Sequence, residues 1–381
     1  MTEKLYYADA YLSSFSATVI SCENNEGIYK IVLDRTAFFP NEGGQYADSG
    51  TLNGIPVIDC KEEGGVIYHV TESPIEVGEE VFGVLDFDER YEKMQCHTAE
   101  HILSGIIHTL FSLDNVGFHL GKDEVTMDIS APLTREELDR VEKLANEAVY
   151  KNTKVKAYFP SSEEAQKIEY RSKLDITENL RIVEIDGVDS CACCAPHVSR
   201  TGEIGLIKIL DFAKLRGGIR IHITAGRRAM RLFSEYYGSA AEISAILSLP
   251  KSDIKDGVVK LLSDLKSAES KYELLRLDVM REKAESITKT EGNLVLLFED
   301  ATNGELIEFS NIAKEKVSGI LVLLSGGEKD YRYIISSDSV NLREKSSEIN
   351  SRLNGRGGGK PNMLQGRFSA SYSEIFEYFN P

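Results

Sequence analysis

From Ile254 to Val279 the residues Ile254, Val258, Leu261, Leu265, Ala268, Tyr272, Leu275 and Val279 follow one another at steps of 4, 3, 4, 3, 4, 3 and 4, with charged residues between them. Only a helix gathers residues at those steps on one side. An unbroken heptad seam of this length predicts a helical arm or coiled coil. Such an arm separates domains, and the 381 residues suffice for two or three of them. The expected blocks are 1–90, 91–240, the arm at 245–288 and a last domain at 289–381.

The patterning on either side sets the fold class. Ala17 to Ser21, Ile28 to Asp34 and Gly65 to His69 cluster β-forming residues between Gly and Asn turn signals, so the first block reads as β. From Asp86 the pattern turns helical through Gln95 to Leu103. A second helix is marked by the capping pair Thr134 and Glu137, followed by Leu138, Val141, Leu144, Ala145, Ala148 and Val149 at helical spacing. Arg181 to Ile185, Gly202 to Phe212 and Gly218 to Thr224 read as strands. Mixed α+β is the consistent class for 1–235. Beyond the arm, Leu294 to Phe298, Ile320 to Leu324 and Tyr333 to Ser336 read as buried strands, Ser339 to Leu353 as a helix, and Gly355 to Pro361 as a glycine-rich loop, together a small α/β domain.

The net charge of −17 argues against a protein that coats nucleic acid indiscriminately. Local patches decide phosphate binding, and two stand out. Residues 208–231 hold Lys208, Lys214, Arg216, Arg220, Arg227, Arg228 and Arg231 against Asp211 alone. Residues 343–367 hold Arg343, Lys345, Arg352, Arg356, Lys360 and Arg367 against Glu344 and Glu348. No basic and apolar leader opens the chain, and its apolar runs fall short of the roughly 20 residues of a membrane span. A cytoplasmic protein without a membrane partner is expected.

Three of the six cysteines, Cys191, Cys193 and Cys194, crowd together, which suits a metal site better than a disulfide framework. His97 and His101 stand one helical turn apart and present two imidazoles on one face. Cys193 and His197 form a second pair on a later loop, and three imidazoles with a thiolate make a good zinc set. Cys194 competes with Cys193 as the sulfur donor.

The order His-x-x-x-His then Cys-x-x-x-His resembles the zinc signature of the alanyl-tRNA synthetase editing domain and its free-standing AlaX relatives. Thr36 to Gln45, with Gly43 and Gly44, is similar to that family's glycine motif. Thr201 to Gly205 and Arg216 to Ile221 resemble segments of its editing core, and Gly357 to Pro361 resembles the glycine loop of the DHH-associated domain. The likeness covers nearly the whole chain and picks out the long form of AlaX. Two departures are Cys193-Cys194-Ala195-Pro196-His197, where the family writes Cys-Gly-Gly-Thr-His, and Glu100 before His101, where Thr is frequent.

The resemblance implies an N-terminal β-barrel carrying the glycine motif and a zinc-binding editing core. It also implies an activity, hydrolysis of mischarged tRNA(Ala), mainly seryl-tRNA(Ala) and also glycyl-tRNA(Ala). Zinc would be held by His97, His101, Cys193 and His197. Thr36, Gln45 and His119 are the pocket candidates for the seryl hydroxyl, which alanine lacks. Lys214, Arg216, Arg220, Arg356 and Lys360 are the candidates for gripping tRNA. Dimerisation through the arm or the last domain is implied as well. The competing readings are a non-catalytic tRNA-binding or delivery factor with a structural zinc, a phosphoesterase, for which the Asp-His-His tripeptide is missing, and a zinc peptidase, for which the Glu of His97-Thr98-Ala99-Glu100-His101 is displaced.

Overall fold

Alternation decides the shape of the first eighty-five residues. In Val66–Thr71 and Glu80–Leu85 every second side chain is buried, the pattern of a sheet with one face inward. The computed structural model, which describes residues 1–172 and 180–380, closes these strands into an antiparallel barrel. Its order is Ser14–Asn25, Ile28–Leu33, Val66–Thr71, Ile55–Glu63, Gly50–Leu52, Glu80–Leu85 and back to the first. Closure removes every edge. Phe15, Val19, Ile31, Phe38, Phe39, Leu52 and Ile67 fill the interior.

Asp86 ends the barrel and starts a helix, Phe87–Phe111, by accepting the Glu89 N–H; Ser112 stops it in the left-handed region at φ 55°. One side packs on a four-stranded sheet ordered Ile207–Leu215, Gly218–Ala225, Val125–Ile129 and Asn115–Leu120. Met94, Ile102, Leu103 and Ile107 meet Met127, Ile129, Ile221 and Ile223 there. The Thr134–Glu137 capping box forms and begins the helix Arg135–Lys151. Val155–Tyr158, Ile182–Ile185 and Asp189–Ala192 make a separate three-stranded sheet. Thr201–Ile204 is a 3-10 turn, so the strand expected from Gly202 begins instead at Ile207.

A buried charge cluster pins the helix to the barrel segment. Asp48 is 2 % exposed, and Arg90 and Lys93 are fully buried. Arg90 gives Nε to Asp48 at 2.8 Å, Lys93 gives Nζ at 3.3 Å, and the Phe39 N–H adds a third donor at 2.7 Å.

The chain divides into two compact units, Met1–Glu242 and Ile243–Pro381. In the second, a five-stranded sheet runs Leu294–Phe298, Leu321–Gly327, Asp330–Ser336, Met363–Phe368, Gly355–Lys360. Only the first pairing is parallel, and the helix Asn303–Ala313 makes its crossover. The heptads lie on one helix, Ile254–Glu285, of 32 residues. Its foot, Met280 and Ala284, joins the core with Leu306 and Phe309. Leu261, Leu265, Tyr272 and Leu275 are exposed. The glycine run differs from expectation: Gly355–Lys360 is an edge strand, not a loop. A Cβ at Gly357 would strike Gln365 O and the Tyr333 hydroxyl, and glycine lets that backbone come close enough to pair.

Candidate metal centre and substrate cavity

One turn of the Phe87–Phe111 helix separates His97 from His101, and the loop after Asp189–Ala192 carries Cys193 and His197 to meet them. One donor atom from each of the four lies within 4.8 Å of all the others. Cys193 Sγ is 3.3 Å from His197 Nε2 and 3.6 Å from His97 Nε2.

The opposite ring nitrogens explain why the Nε2 atoms converge. His97 Nδ1 bonds Gln45 Oε1 at 2.9 Å, and His101 Nδ1 bonds Asp189 Oδ2 at 2.9 Å. Arg171 grips Asp189 through two bonds of 2.8 and 2.9 Å. His197 Nδ1 is 3.0 Å from Thr98 Oγ1, whose own proton goes to Met94 O. Thr98 is therefore the acceptor, and each Nδ1 is the protonated nitrogen. The three Nε2 atoms are left facing one sulfur, with each Nδ1 held from behind in the outer-sphere arrangement that fixes histidine metal ligands.

Burial opposes the Cys193 thiolate, but His97 and His197 outweigh it and hold the thiol well below its ordinary range. Burial pushes His197 down to about 3, in favour of the neutral imidazole that binds metal. Burial also acts on His101, where Asp189 and Cys193 prevail and raise it well above its usual value. A thiolate with three nitrogens at this closeness fits a tetrahedral zinc set. Cys194 stands outside the group: its Sγ lies against Gly43, on the cavity wall that Glu42 also lines.

A cavity of about 520 Å³ opens over the cluster, lined by Lys4, Tyr7, Glu42, Gly43, Gly44 and Phe118 as well as His97, His101, Cys193 and Cys194. A tight turn builds one wall. Glu42 and Gln45 exchange backbone bonds of 3.1 and 3.0 Å around Gly43 and Gly44, at φ 63° and 79°. Two successive positive φ angles are what a two-residue type I′ turn demands. A Cβ at Gly44 would also run into Phe118 O. The turn delivers Gln45 to His97 from behind. Gln45 is fully buried, and its Nε2 has no partner among the described residues.

Other expected site residues lie elsewhere. Thr36 is fully buried in the barrel region, where its hydroxyl meets His69 Nε2 at 2.8 Å and the Phe38 N–H at 3.1 Å, and it does not line the cavity. His119 does not line it either. Strand alternation gives the inward place to Phe118, whose ring centroid is 4.7 Å from that of His97, and leaves His119 exposed.

The 208–231 patch is largely neutralised in space. Lys208 pairs with Glu142, Arg220 with Asp128, Arg227 with Asp88, and Arg228 and Arg231 with Glu92. Lys214 and Arg216 are exposed and have no ion pair among the described residues. Arg356 and Lys360 are exposed on the edge strand. Lys4, Tyr7, Glu42, Arg181 and Asp189 were missed by sequence reasoning. Of these, Glu42 alone lay inside a site motif; the others come from segments that carry no site pattern of their own.

The family of the threonyl and alanyl tRNA synthetase second additional domain matches residues 180–222, which include Cys193 and His197. The chain is 30% identical to the alanyl-tRNA editing protein AlaX-L of Pyrococcus horikoshii, across 99% of this chain and 97% of that one. It is 26% identical to the alanyl-tRNA editing protein Aarsd1 of Mus musculus, across 94% and 92%. It is also 30% identical to the alanine–tRNA ligase of Methanococcus vannielii, where 99% of this chain spans 43% of the enzyme.

Proposed function

The chain belongs to the alanyl-tRNA editing proteins, and from that premise we propose that it is a zinc-dependent deacylase that clears serine, and also glycine, from mischarged tRNA(Ala) while sparing alanyl-tRNA(Ala). The observation that carries the reading is the convergence of three Nε2 atoms on the Cys193 sulfur at the floor of a cavity, with every Nδ1 held from outside. His97, His101, Cys193 and His197 would hold the zinc, which when bound polarises a carbonyl or lowers the pKa of a water.

The chain's own residues do the rest. Gln45, Asp189 and Thr98 fix the ring orientations. The turn at Gly43 and Gly44 brings backbone close to the substrate space, and Phe118 shields one side from water. With Thr36 and His119 outside the lining, recognition of the seryl hydroxyl falls to polar groups on the wall, Tyr7 and Cys194 among them. A site that bonds a hydroxyl rejects the analogue lacking it far better than an apolar site could.

The four-donor set also favours a second reading, a tRNA-binding protein whose zinc is structural, because catalytic zinc normally keeps a position open. One assay separates the two. Seryl-tRNA(Ala) should lose its serine faster than the spontaneous rate, the activity should vanish with a chelator and return with zinc, and alanyl-tRNA(Ala) should persist. Hydrolysis indifferent to the chelator removes the metal from the reading; no hydrolysis leaves the structural alternative.

A further inference from the structure

Glu42 opens the tight turn and lines the cavity beside His97, Cys193 and Cys194. One carboxylate oxygen, Oε2, is closed off from solvent and meets no donor among the described residues. Cys194, a neutral neighbour, lines the same wall with its Sγ against Gly43. Among the described residues no cation forms an ion pair with Glu42, although the charge of Lys4 acts on it from the same cavity wall. Lys4 spends its Nζ on both oxygens of Glu62, at 2.8 and 2.7 Å. Arg181 gives Nη1 to Cys193 O and Ala195 O and lies over the Tyr7 ring. Arg171 is taken up by Asp189. Burial, and after it repulsion from Glu62, raise the Glu42 carboxyl above its ordinary range against the opposing pull of the Lys4 charge.

A half-buried carboxylate without a counter-ion is unfavourable until a cation joins it. An aminoacyl ester brings such a cation on the carbon next to its scissile carbonyl. We infer that Glu42 is a specificity residue that takes the α-ammonium group of the aminoacyl ester, so that the site rejects esters whose amino group is acylated. This inference rests on the deacylase reading for its ligand, and it adds a requirement that the reading does not contain. The ammonium would sit against the Gly43 and Gly44 wall, and the adjoining carbonyl would be directed toward the cluster at His97 and Cys193.

The probe is a non-hydrolysable 3′-seryl-amido-3′-deoxyadenosine, with a free or an acetylated amine, titrated calorimetrically into the full chain. Wild-type protein should prefer the free amine by at least about tenfold, the order expected of a charge-assisted bond. Glu42→Gln, which keeps shape and removes charge, should abolish that preference at unchanged metal content. Glu76→Gln, which removes an exposed carboxylate outside the cavity, should keep it. A preference that survives Glu42→Gln, a preference lost in Glu76→Gln, or a wild-type protein that binds both forms alike overturns the inference. Hydrolysis of seryl-tRNA(Ala) and N-acetylseryl-tRNA(Ala) is measured alongside. If seryl-tRNA(Ala) is cleared but Glu42→Gln still prefers the free amine, only the role of Glu42 falls. If no mischarged tRNA is cleared, the deacylase reading falls, and the calorimetry judges Glu42 by itself.

Discussion

Cys193 and Cys194 are neighbours in the chain with opposite environments. Cys193 Sγ sits among imidazoles that favour its thiolate, whereas Cys194 is pressed against Gly43 and Glu42, where burial keeps the proton on. Cys193→Ala should therefore lose most bound zinc and Cys194→Ala should retain it, as measured by metal analysis of the purified proteins; the reverse result would move the sulfur ligand to Cys194. Thr36 yields a different kind of prediction. Its hydroxyl is enclosed with His69, which burial lowers to about 4 and so keeps neutral. Thr36→Val would strand His69 Nε2 and the Phe38 N–H, at about 1–3 kcal/mol. A clear drop in thermal midpoint is the expected outcome, and an unchanged midpoint would show that the hydroxyl is not engaged. Spacing made the four donors legible because a helix and a short loop each leave a local signature. Asp189 and Thr98, which aim the rings, left none, since their partners are distant in the chain and only folding brings them together.

At the scale of elements, the turn and the long helix carry the site between them. Gly44 is fixed by conformation and by space, at φ 79° with Phe118 O where a Cβ would go. Gly44→Ala should displace the turn or the Asn115–Leu120 strand and lower kcat/KM for seryl-tRNA(Ala) by about tenfold or more, the usual consequence of a misplaced wall. Gln45→Ala should weaken metal affinity by about 10–100-fold, as loss of an outer partner does; unchanged affinity would mean that His97 is oriented some other way. The helix depends on Asp48. Its pKa is set by burial, which raises it, and by Arg90 and Lys93, which prevail and hold it below the ordinary carboxylate range. A depressed carboxylate stabilises the fold above its unfolded value and loses that contribution as pH falls through the folded value, so this clamp fails only in acid, below the range where an ordinary carboxylate titrates. Asp48→Asn should cost about 3–5 kcal/mol at neutral pH by leaving buried cations unpaired. Melting curves showing less than about 1 kcal/mol, the scale of an exposed pair, would contradict a buried clamp of Asp48 with Arg90 and Lys93. The heptad pattern foretold the Ile254–Glu285 helix because periodicity is intrinsic to the chain. The strand at Gly355–Lys360 was hidden, since glycine has no β preference and only the neighbouring Met363–Phe368 strand and Tyr333 make it pair.

Across the whole molecule, charge counted along the sequence and charge left free in the fold rank the two basic patches differently. The 208–231 patch outnumbers its local acid, yet Glu142, Asp128, Asp88 and Glu92 reach it from other elements. In the second unit Arg367 pairs with Asp330. Arg343, Lys345, Arg352, Arg356 and Lys360 have no ion pair among the described residues. A chain with net charge −17 repels a polyanion everywhere else. Most of the phosphate grip should therefore come from the second unit, with Lys214 and Arg216 contributing from the first. Taking one cation away from a bound phosphate lowers the slope of log K against log salt by about 1. Arg356→Glu with Lys360→Glu should weaken binding of tRNA(Ala) and reduce that slope by about 2, while zinc content and hydrolysis at saturating tRNA persist. Arg227→Gln with Arg231→Gln, which remove cations already neutralised by Asp88 and Glu92, should leave the slope nearly unchanged. A binding titration over a range of salt concentrations decides the matter: if the pair in the first unit flattens the slope and the pair in the second does not, free charge in the fold is not what grips the tRNA.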